Sequence, residues 1–595
     1  MNLRGDRLKL GIILLLVVLL YLNSFWNNFT NWDDNNLIVK NTRIRSLALD
    51  NLKRIFVPHV GSTYQPIREF SYAIDYAIWR LNPIGYHLTN LILYLLTIVV
   101  IYFLLKRFLK EDIAFLATAI FAVHPLHVEA VTYLAARKEV LANFFFFLSF
   151  YLYITADRKK KEKFLVLSFI SFVLALLSKP SAVTLPVCLL MWDTYFSKKK
   201  KSRFINEVPF WGMMLVILGY FIFFSKTIVP KEGSFYPGIH PLLITRQIAN
   251  YIAMLVAPVK MCIRYPDYFI KTMSLFDKLL GVAVFLLLVA LIIAFYRKRK
   301  KVSFFIAWFL VNLLPTSGLL RIAIQRADRY VFISSLSYAA LLSMGIFYTA
   351  KRIRKKRYGK IAILIALPFL IFYSSLTVQR NFVWRNTKSI WEDAYKKYPK
   401  NYIICWGVGR ARNEYHEYKE AIPPLLWAYK INPREPKVLY NIGQAYSRTK
   451  QYDKAVRYFE EALAITGPEK LHPSAMRDMG SSFLMIGKFD KGEYWLEKAL
   501  EHNPRDLLAL SDLGVLYFRT GRPELSEKML TRALEINPRH PLALRNLGTL
   551  YYKSGDKQKA LEYLKRYLNL YPRASDAEKI RKAVQKLEAG ETEKP

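Results

Sequence analysis

The first 380 positions of this chain hold a series of long apolar segments, most of which end at a short run of basic residues. A segment of about 20 apolar residues can cross a bilayer as a helix, because a helix satisfies its own backbone hydrogen bonds. Short basic tracts between such segments mark their cytoplasmic ends and also meet anionic lipid. The first part of the chain is therefore predicted to be an all-α polytopic membrane bundle.

Matching the apolar segments to the basic tracts predicts about eleven spans with a cytoplasmic N-terminus. Four tracts define the inner face: 158–161, 198–201, 297–301 and 351–360. The region from Lys231 to Asp277 is ambiguous and is predicted to be interfacial, since its apolar piece is short and contains Pro258. On this topology the loop at 30–85 and everything after about residue 380 share the outer face.

Charge and cysteine content exclude other classes of protein. The net charge of +42 does not predict nucleic-acid binding, because the basic residues are concentrated between spans. The three cysteines (Cys188, Cys262 and Cys405) are too scattered for a disulfide framework or a thiolate metal site. The first apolar segment has no small-x-small cleavage site, so it is predicted to be a span and not a removable signal peptide.

From Asn381 onward the long apolar runs stop and a period of about 34 residues appears. Glycines mark the period at 409, 443, 480, 514 and 548, and a proline follows each at 433, 468, 504, 538 and 572. This pattern is that of the tetratricopeptide repeat, in which small residues let two antiparallel helices approach closely. Residues 381–595 are therefore predicted to form a soluble α-solenoid of about five repeats with a closing helix at 574–587. Its groove would bind an extended peptide or a partner helix.

Two adjacent carboxylates, Asp33 and Asp34, come directly after the first apolar segment. Carboxylates are costly to place near lipid, and ionisable residues at such a boundary are functional candidates by default. The residues alone leave two roles open, a general base toward a sugar acceptor or a ligand for a metal.

Three residues that are predicted to lie on the same outer face could bind a metal: His124, His127 and Glu129. A His-x-x-His pair aligns on one helix face, but Pro125 breaks the helix that would align it. The alternative is that one histidine makes a hydrogen bond across a span end while the other lines a cavity. No metal site is therefore assigned, and the three residues stay weak candidates for a divalent ion.

Cations on this face could bind an anion. Arg137 lies beside the bilayer, where an unpaired cation is costly, so it needs either a carboxylate, such as Glu129 or Glu139, or a phosphate. Arginine's planar fork suits a phosphate. Further cations are predicted on the same face: Lys179, Arg326 and Arg329. Together these cations could clamp a lipid-linked phosphate.

Taken in order, the outer-face motifs resemble a known family. They are Trp32-Asp33-Asp34, Tyr64-Gln65-Pro66, Tyr86-His87-Leu88-Thr89-Asn90, the block from His124 to Val131, Arg137, Ser178-Lys179 and Ala327-Asp328-Arg329-Tyr330. With the repeats behind them, they look like the transmembrane and tetratricopeptide-repeat O-mannosyltransferases of the GT-C class. The resemblance covers essentially the whole chain, with a membrane transferase domain at 1–380 and the repeat domain after it.

The resemblance implies a sugar, typically mannose, carried on a polyprenyl or dolichyl phosphate and moved to a protein hydroxyl on the extracytoplasmic side. Asp33 or Asp34 would be the base, and a single displacement would invert the sugar C1. The donor and its phosphate would be bound by residues of the same motifs: Arg137, Lys179, Arg326, Arg329, Tyr64, Gln65, His124, His127 and Glu129. The compact, lysine-rich chain with tight loops looks like a prokaryotic relative, in a cytoplasmic membrane.

Two other classes of function compete with the transferase. One is a non-catalytic membrane anchor for a repeat scaffold in envelope assembly, which would need no acidic pair at the membrane boundary. The other is a flippase or polymerase of lipid-linked sugars, which would carry polar residues near span centres. The predicted spans at about 10–29, 140–154, 183–196 and 279–296 carry almost none, so the sequence favours the transferase.

Overall fold

A computed structural model describes residues 3–58, 64–159, 162–196, 204–224, 240–267, 273–317 and 324–589. Within these ranges the chain is helical and contains no β-strand, as the sequence predicts. The chain divides into two compact units, Met1–Tyr398 and Pro399–Pro595. The first unit thus continues beyond residue 380 and includes the helix that leads to the repeats.

The first unit contains sixteen α-helices, counted over its described residues. They are α1 (Leu3–Tyr21), α2 (Leu49–Phe56), α3 (Pro66–Trp79), α4 (Pro83–Phe108), α5 (Glu111–Ala122), α6 (Val128–Thr132), α7 (Arg137–Lys159), α8 (Glu162–Ser178), α9 (Leu185–Phe196), α10 (Phe204–Phe224), α11 (Pro241–Val256), α12 (Leu275–Lys298), α13 (Lys300–Leu313), α14 (Phe332–Ile353), α15 (Tyr358–Val383) and α16 (Thr387–Lys397).

Every predicted span coincides with a helix, but the predicted number of spans is not confirmed. Six helical stretches in the described residues are long and apolar enough to cross a bilayer. A seventh arises if Glu111–Ala122 and Pro125–Thr132, which meet at a bend of 52°, form one broken span. Helices such as α9 and α13, with 12 and 14 residues, are too short to cross alone. The Lys198–Lys201 tract lies outside the described residues.

The ambiguous region before α12 contains α11, which has 16 residues and is likewise too short to span a bilayer. One face of α11 is buried, with Ile248, Tyr251 and Leu255 in a cluster that also contains Phe309 and Leu313 of α13. This helix therefore packs against the bundle along one side.

The acidic loop after α1 and the segment after α15 meet at one end of the first unit. The side-chain amide of Asn27 donates to the carbonyl of Asn381 at 3.1 Å, and the backbone N–H of Asn28 donates to the carbonyl of Arg385 at 2.9 Å. At the other end of α1, Lys9 pairs with Glu111 at 2.6 Å. The acidic pair and the segment directly after α15 therefore lie at the same end of the bundle.

The second unit is a regular array of five helix pairs and a closing helix. Its helices are α17 (Tyr402–Glu414), α18 (Tyr418–Ile431), α19 (Pro436–Arg448), α20 (Tyr452–Thr466), α21 (Pro473–Met485), α22 (Phe489–His502), α23 (Leu507–Arg519), α24 (Pro523–Ile536), α25 (Pro541–Ser554), α26 (Lys557–Leu570) and α27 (Ala577–Glu588). Each periodic proline follows the second helix of its pair by two residues, where it cannot continue the helix.

The periodic glycines lie where the two helices of each pair touch. A Cβ added to Gly514 would stand 2.6 Å from Cγ of Leu530, and one added to Gly548 would stand 2.4 Å from Cδ2 of Leu564. These distances are too short for two carbon atoms, so the close approach requires glycine. The partner is 16 residues further along the chain in each pair, which explains why the pattern repeats with the helices.

Candidate functional site

The two acidic residues of the loop after α1 differ in their surroundings. Asp34 is buried, and its carboxylate accepts hydrogen bonds from the backbone N–H and hydroxyl of Thr30 and from the backbone N–H of Ala135, at 2.7, 2.8 and 2.8 Å. Burial raises the pKa of Asp34 to about 6, although these three hydrogen bonds act in the opposite direction. Asp34 therefore ties the loop to the segment before α7.

Asp33 points the other way and is exposed. Its Oδ2 accepts a hydrogen bond from the Tyr133 hydroxyl at 2.9 Å. Tyr133 is itself buried and stacks on the indole of Trp384, with ring centroids 4.8 Å apart. A carboxylate that is open to solvent and held at one oxygen can still accept a proton at the other.

Next to Tyr133 lies a buried network of charges. The backbone N–H of Arg329 donates to Oε2 of Glu129 at 2.9 Å, and its guanidinium pairs with Oε1 of the same residue. Glu139 lies 3.6 Å from the Arg329 guanidinium and pairs with Lys179 at 2.7 Å. Arg329 is also near enough to the Tyr133 phenol to act on it electrostatically. The network thus adjoins the side chain that holds Asp33.

One cation beside this network forms no hydrogen bond or ion pair with any residue in the described part of the chain. This cation is Lys138, on which the charges of Arg68, Arg329 and Lys179 act, offset in part by the carboxylate of Glu139. Arg68 is buried, and its nearest carboxylate, that of Glu69, is 3.7 Å away. An unpaired cation among three others is unfavourable in a half-buried place unless an anion joins it. This cluster of four cations is therefore suited to bind an anionic group.

Arg137, which was predicted to face either a carboxylate or a phosphate, is fully buried and pairs with Asp75 at 2.5 Å. Its guanidinium also donates to Asn90 at 2.7 Å and to the carbonyl of Tyr86 at 2.8 Å. The carboxylate partner comes from α3, and is neither Glu129 nor Glu139. Arg137 therefore braces α3, α4 and α7 beneath the cation cluster.

His124 and His127 are buried, and both nitrogens of each ring are engaged. His124 contacts the carbonyl of Leu255 at 3.0 Å and the backbone N–H of Leu126 at 3.3 Å. His127 contacts the hydroxyls of Tyr94 and Ser335, each at 2.9 Å. In the described residues no group of three or more His, Cys, Asp or Glu side chains is arranged to hold a metal ion.

The remaining predicted site residues are Gln65, Tyr64 and Arg326. Gln65 is buried and accepts a hydrogen bond from Arg68 at 2.5 Å, so it orients one member of the cation cluster. The hydroxyl of Tyr64 donates to the carbonyl of Phe56 at 2.9 Å. The guanidinium of Arg326 lies over the ring of Tyr265, 4.3 Å from its centroid. Gln65 thus contacts the cluster directly, through Arg68.

The sequence assigns no role to Tyr133, Lys138 or Arg68, although Lys138 and Arg68 belong to stretches of the predicted outer face that could do chemistry. Tyr133 and Lys138 flank Arg137 in the segment that carries the predicted cation, so their position was a signal that could have been used. Arg68 follows Gln65 by one helical turn at the start of α3, the spacing at which two side chains meet.

Comparison with known families agrees with the two-part organisation. A family model for dolichyl-phosphate-mannose-protein mannosyltransferase matches residues 70–225. A model for the tetratricopeptide repeat matches residues 434–505 and 505–573. The first match begins in α3 and includes Tyr133, Lys138 and Lys179.

Several curated proteins are similar to the chain over both parts. Protein O-mannosyl-transferase TMTC3 of Homo sapiens is 23% identical over 76% of this chain and 54% of its own length. Protein O-mannosyl-transferase F38B6.6 of Caenorhabditis elegans is 24% identical over 71% of this chain and 63% of its own length. This chain therefore spans somewhat more than half of the length of these relatives.

Among solved structures, that of YrrB, a TPR protein with an unusual peptide-binding site, covers 32% of this chain and 97% of its own, at 20% identity and a TM-score of 0.27. The family models and the curated relatives cover the membrane part as well as the repeats. The chain is thus similar to protein O-mannosyl-transferases and carries tetratricopeptide repeats after its membrane part.

Proposed function

We propose that the protein is a membrane glycosyltransferase that moves a sugar, on the relatives' precedent mannose, from a polyprenyl phosphate to a hydroxyl of a protein. The observation that carries the proposal is one juxtaposition. The exposed carboxylate of Asp33 is joined through Tyr133 to a cluster of cations in which Lys138 forms no ion pair with any described residue.

Asp33 is the general base of this reaction. The acceptor oxygen forms a bond to the sugar C1 while the bond from C1 to the phosphate oxygen breaks. The acceptor proton passes to the carboxylate of Asp33, and the polyprenyl phosphate leaves with the bonding electrons. One carboxylate and one displacement give inversion at C1. An ordinary carboxylate suffices, because the phosphate is already a good leaving group and proton transfer can come late.

The cation cluster receives the donor phosphate. Arg329 acts electrostatically on both Tyr133 and Lys138, and Lys179 is joined to Arg329 through Glu139. Cations that stand in a low-dielectric site before the reaction stabilise the charge that grows on the leaving phosphate. Arg68 and Lys138 join the donor-binding residues that were predicted from the sequence. Arg137 supports the cluster through its ion pair with Asp75 and does not bind the phosphate itself. Arg326, Tyr64, His124 and His127 form the surroundings.

The proposed orientation has this chemistry on the extracytoplasmic side, with a cytoplasmic N-terminus and the repeats outside. The basic tracts at the opposite ends of the spans support this orientation. The repeats recruit the protein acceptor, or a partner that delivers it, since stacked helical repeats commonly bind peptides. A prokaryotic cytoplasmic membrane suits the compact chain and its short loops.

The test is transfer by the purified full-length protein in lipid nanodiscs. Mannose that is labelled and linked to a polyprenyl phosphate is supplied together with a pool of extracytoplasmic proteins. We expect labelled protein whose sugar has the opposite anomeric configuration to that of the donor. No transfer with mannose or with other polyprenyl-phosphate sugars would overturn the proposal.

Two additions to the same assay examine the mechanism. A product with the donor's anomeric configuration would rule out the single displacement. The second addition is a chelator, which we expect to leave the rate unchanged. Loss of transfer that returns with one divalent ion would instead give the metal a role in the reaction.

A further inference from the structure

We propose that α16, the helix between the membrane half and the first repeat, is a positioning element that aligns the two walls of the active site. This inference rests on the proposed function, because it assigns Asp33 to one wall and Arg329 to the other. α16 belongs to the same compact unit as both walls. Its contacts reach the acidic loop near one end and the support of Arg329 near the other.

At its start, α16 holds the loop that carries the acidic pair. The hydroxyl of Thr387 accepts a hydrogen bond from the backbone N–H of Asn31 at 2.8 Å. Trp391, one turn later, meets the ring of Trp32 edge to face, with centroids 5.1 Å apart. Thr387 and Trp391 are both buried. The two residues before Asp33 are therefore fixed by α16.

At its other end, α16 supports the cation wall. Asp393 pairs with one nitrogen of the buried Arg380 at 3.1 Å, and the other terminal nitrogen of Arg380 pairs with the buried Asp328 at 3.2 Å. Lys397 holds Asp393 at 2.8 Å and also donates to the carbonyl of Met261 at 2.6 Å. This chain of contacts ends one residue before Arg329.

Asp328 and Arg329 are neighbours in the chain, and further hydrogen bonds hold both of them in place. The N–H of Arg329 donates to Glu129, and the Asp328 carboxylate accepts from the hydroxyl of Tyr265. A shift of Asp328 would therefore move the peptide that presents Arg329 to the donor phosphate. None of the α16 residues needs to touch the substrate to have this effect, so they are positioning residues.

A simple spacer between the two units would not need these groups. A buried hydroxyl that satisfies a loop N–H, and a charged chain from Asp393 to Asp328, both carry a cost of desolvation that a spacer would avoid. The first repeat helix, α17, begins at Tyr402, only five residues after α16 ends. The element that aligns the site is therefore continuous along the chain with the repeats that we propose recruit the acceptor.

The experiment uses the full-length protein and measures kcat and the donor KM separately. Thr387→Val keeps the shape of the side chain and removes the hydroxyl, whereas Thr387→Ser keeps the hydroxyl. We expect Thr387→Val to lower kcat about tenfold with an unchanged donor KM, because a small displacement of the base slows the chemical step. Thr387→Ser should restore most of the rate.

Asp393→Asn tests the other end of α16. Here we expect the donor KM to rise several-fold with a smaller change in kcat, because the cation wall and not the base is disturbed. Lys396→Ala, on the exposed side of the same helix, is the matched control and should leave both constants unchanged.

The outcomes separate this inference from the proposed function. If the wild type transfers sugar and both Thr387→Val and Asp393→Asn match it, α16 is only a connector and the inference is overturned. A loss of folded protein, shown by a lowered thermal midpoint with unchanged constants per folded molecule, would also overturn it. If Thr387→Val does not fold, Trp391→Phe tests the same wall by the same kcat criterion. No transfer by the wild type would instead remove the proposed function.

Discussion

The membrane unit and the repeat array are both helical, but they are held together by contacts of opposite range in sequence. In the membrane unit, Asp33 and Tyr133 are 100 residues apart, Glu129 and Arg329 are 200 apart, and Asn31 and Thr387 are 356 apart. In the array, each glycine packs against a residue 16 positions later. The array is therefore a sum of local units, whereas the site depends on the whole membrane fold.

Function and stability therefore depend on different kinds of contact in the two units. A buried polar contact between distant elements is informative because it carries a desolvation cost that apolar packing would avoid. In the array, the small residues let the helices pack closely, which stabilises the fold and specifies no chemistry. If the comparison is right, changes at the site should alter transfer and leave the fold intact, and changes in the array should do the reverse.

The change with the largest expected effect is Asp33→Asn, which keeps the shape of the side chain and removes the base. We expect transfer to fall about 10²- to 10⁴-fold, the contribution of a general base, with an unchanged thermal midpoint. The rate is measured in the nanodisc assay and the midpoint by intrinsic fluorescence. Full activity would place the base elsewhere.

Asp34→Asn is the matched neighbour. Its new amide N–H₂ group would face one of the N–H or hydroxyl donors that now reach the carboxylate. A buried donor without an acceptor costs about 1–3 kcal/mol, so we expect a lower thermal midpoint. An Asp34→Asn protein that is stable and inactive would instead make Asp34 the base.

The second prediction concerns the unpaired cation. Lys138→Met keeps the length of the side chain and removes the charge. A hydrogen bond to a charged group contributes about 1.5–3 kcal/mol, which corresponds to a loss of about 10- to 100-fold in kcat/KM for the donor. The thermal midpoint should stay the same or rise, because no ion pair is broken and a repulsion is relieved.

Lys163→Met, on an exposed lysine at the start of α8, is the control for Lys138→Met and should be neutral in both measurements. If Lys138→Met lowers stability and leaves kcat/KM for the donor unchanged, Lys138 has a structural role and the donor phosphate binds elsewhere.

The contrast between local contacts in the array and long-range contacts in the membrane unit also limits what could be predicted from the sequence. The same pattern of glycine and proline recurs in every repeat, and the contacts that it produces are local. The helix pairs around Gly514 and Gly548 could therefore be predicted closely. Asp33 and Asp34 were found because carboxylates are costly to place near lipid. The sequence could not separate them, since the separation depends on Ala135 and Tyr133, about 100 residues away.

The same reason accounts for the partner of Arg137 and for Lys138. A carboxylate partner for Arg137 could be predicted from the cost of a bare cation, but Asp75 belongs to a helix in a loop for which no helix was predicted. Lys138 is one of many lysines, and nothing in its local pattern shows that it alone in this cluster has no partner. The sequence could thus predict that a carboxylate would pair with Arg137, but it could not predict which distant residue would supply it.

The third prediction tests the array. A Cβ on Gly514 meets the side chain of Leu530, so Gly514→Ala should cost about 1–2 kcal/mol by overpacking, less some gain in helix propensity. The control is the same change in a Leu530→Ala background, where room exists and Gly514→Ala should become neutral or stabilising. Thermal unfolding measures both. Turnover per folded molecule should stay that of the wild type.

The smallest expected effect is a dependence of array stability on pH. Asp512 is partly buried on α23 and accepts a hydrogen bond from Ser481. Burial raises the pKa of Asp512 to about 6, above its value of about 3.9 in an unfolded chain. Between these values the folded array keeps a proton that the unfolded chain has lost. The contribution of Asp512 to stability is therefore complete below about pH 4 and is lost as the pH rises through about 6.

Asp512→Asn removes this titration and keeps an oxygen that can accept from Ser481. A shift of about two pKa units corresponds to about 2.7 kcal/mol, and solvent screening at the partly exposed Asp512 reduces this to about 1 kcal/mol. The difference in unfolding free energy between the wild type and the variant should therefore change by about 1 kcal/mol between pH 4 and pH 7, in favour of the wild type at the acidic end. Chemical denaturation followed by circular dichroism across that range measures it. A constant difference would show that solvent reaches Asp512 and that its place in the array does not shift its titration, unlike that of the buried Asp34 in the membrane unit.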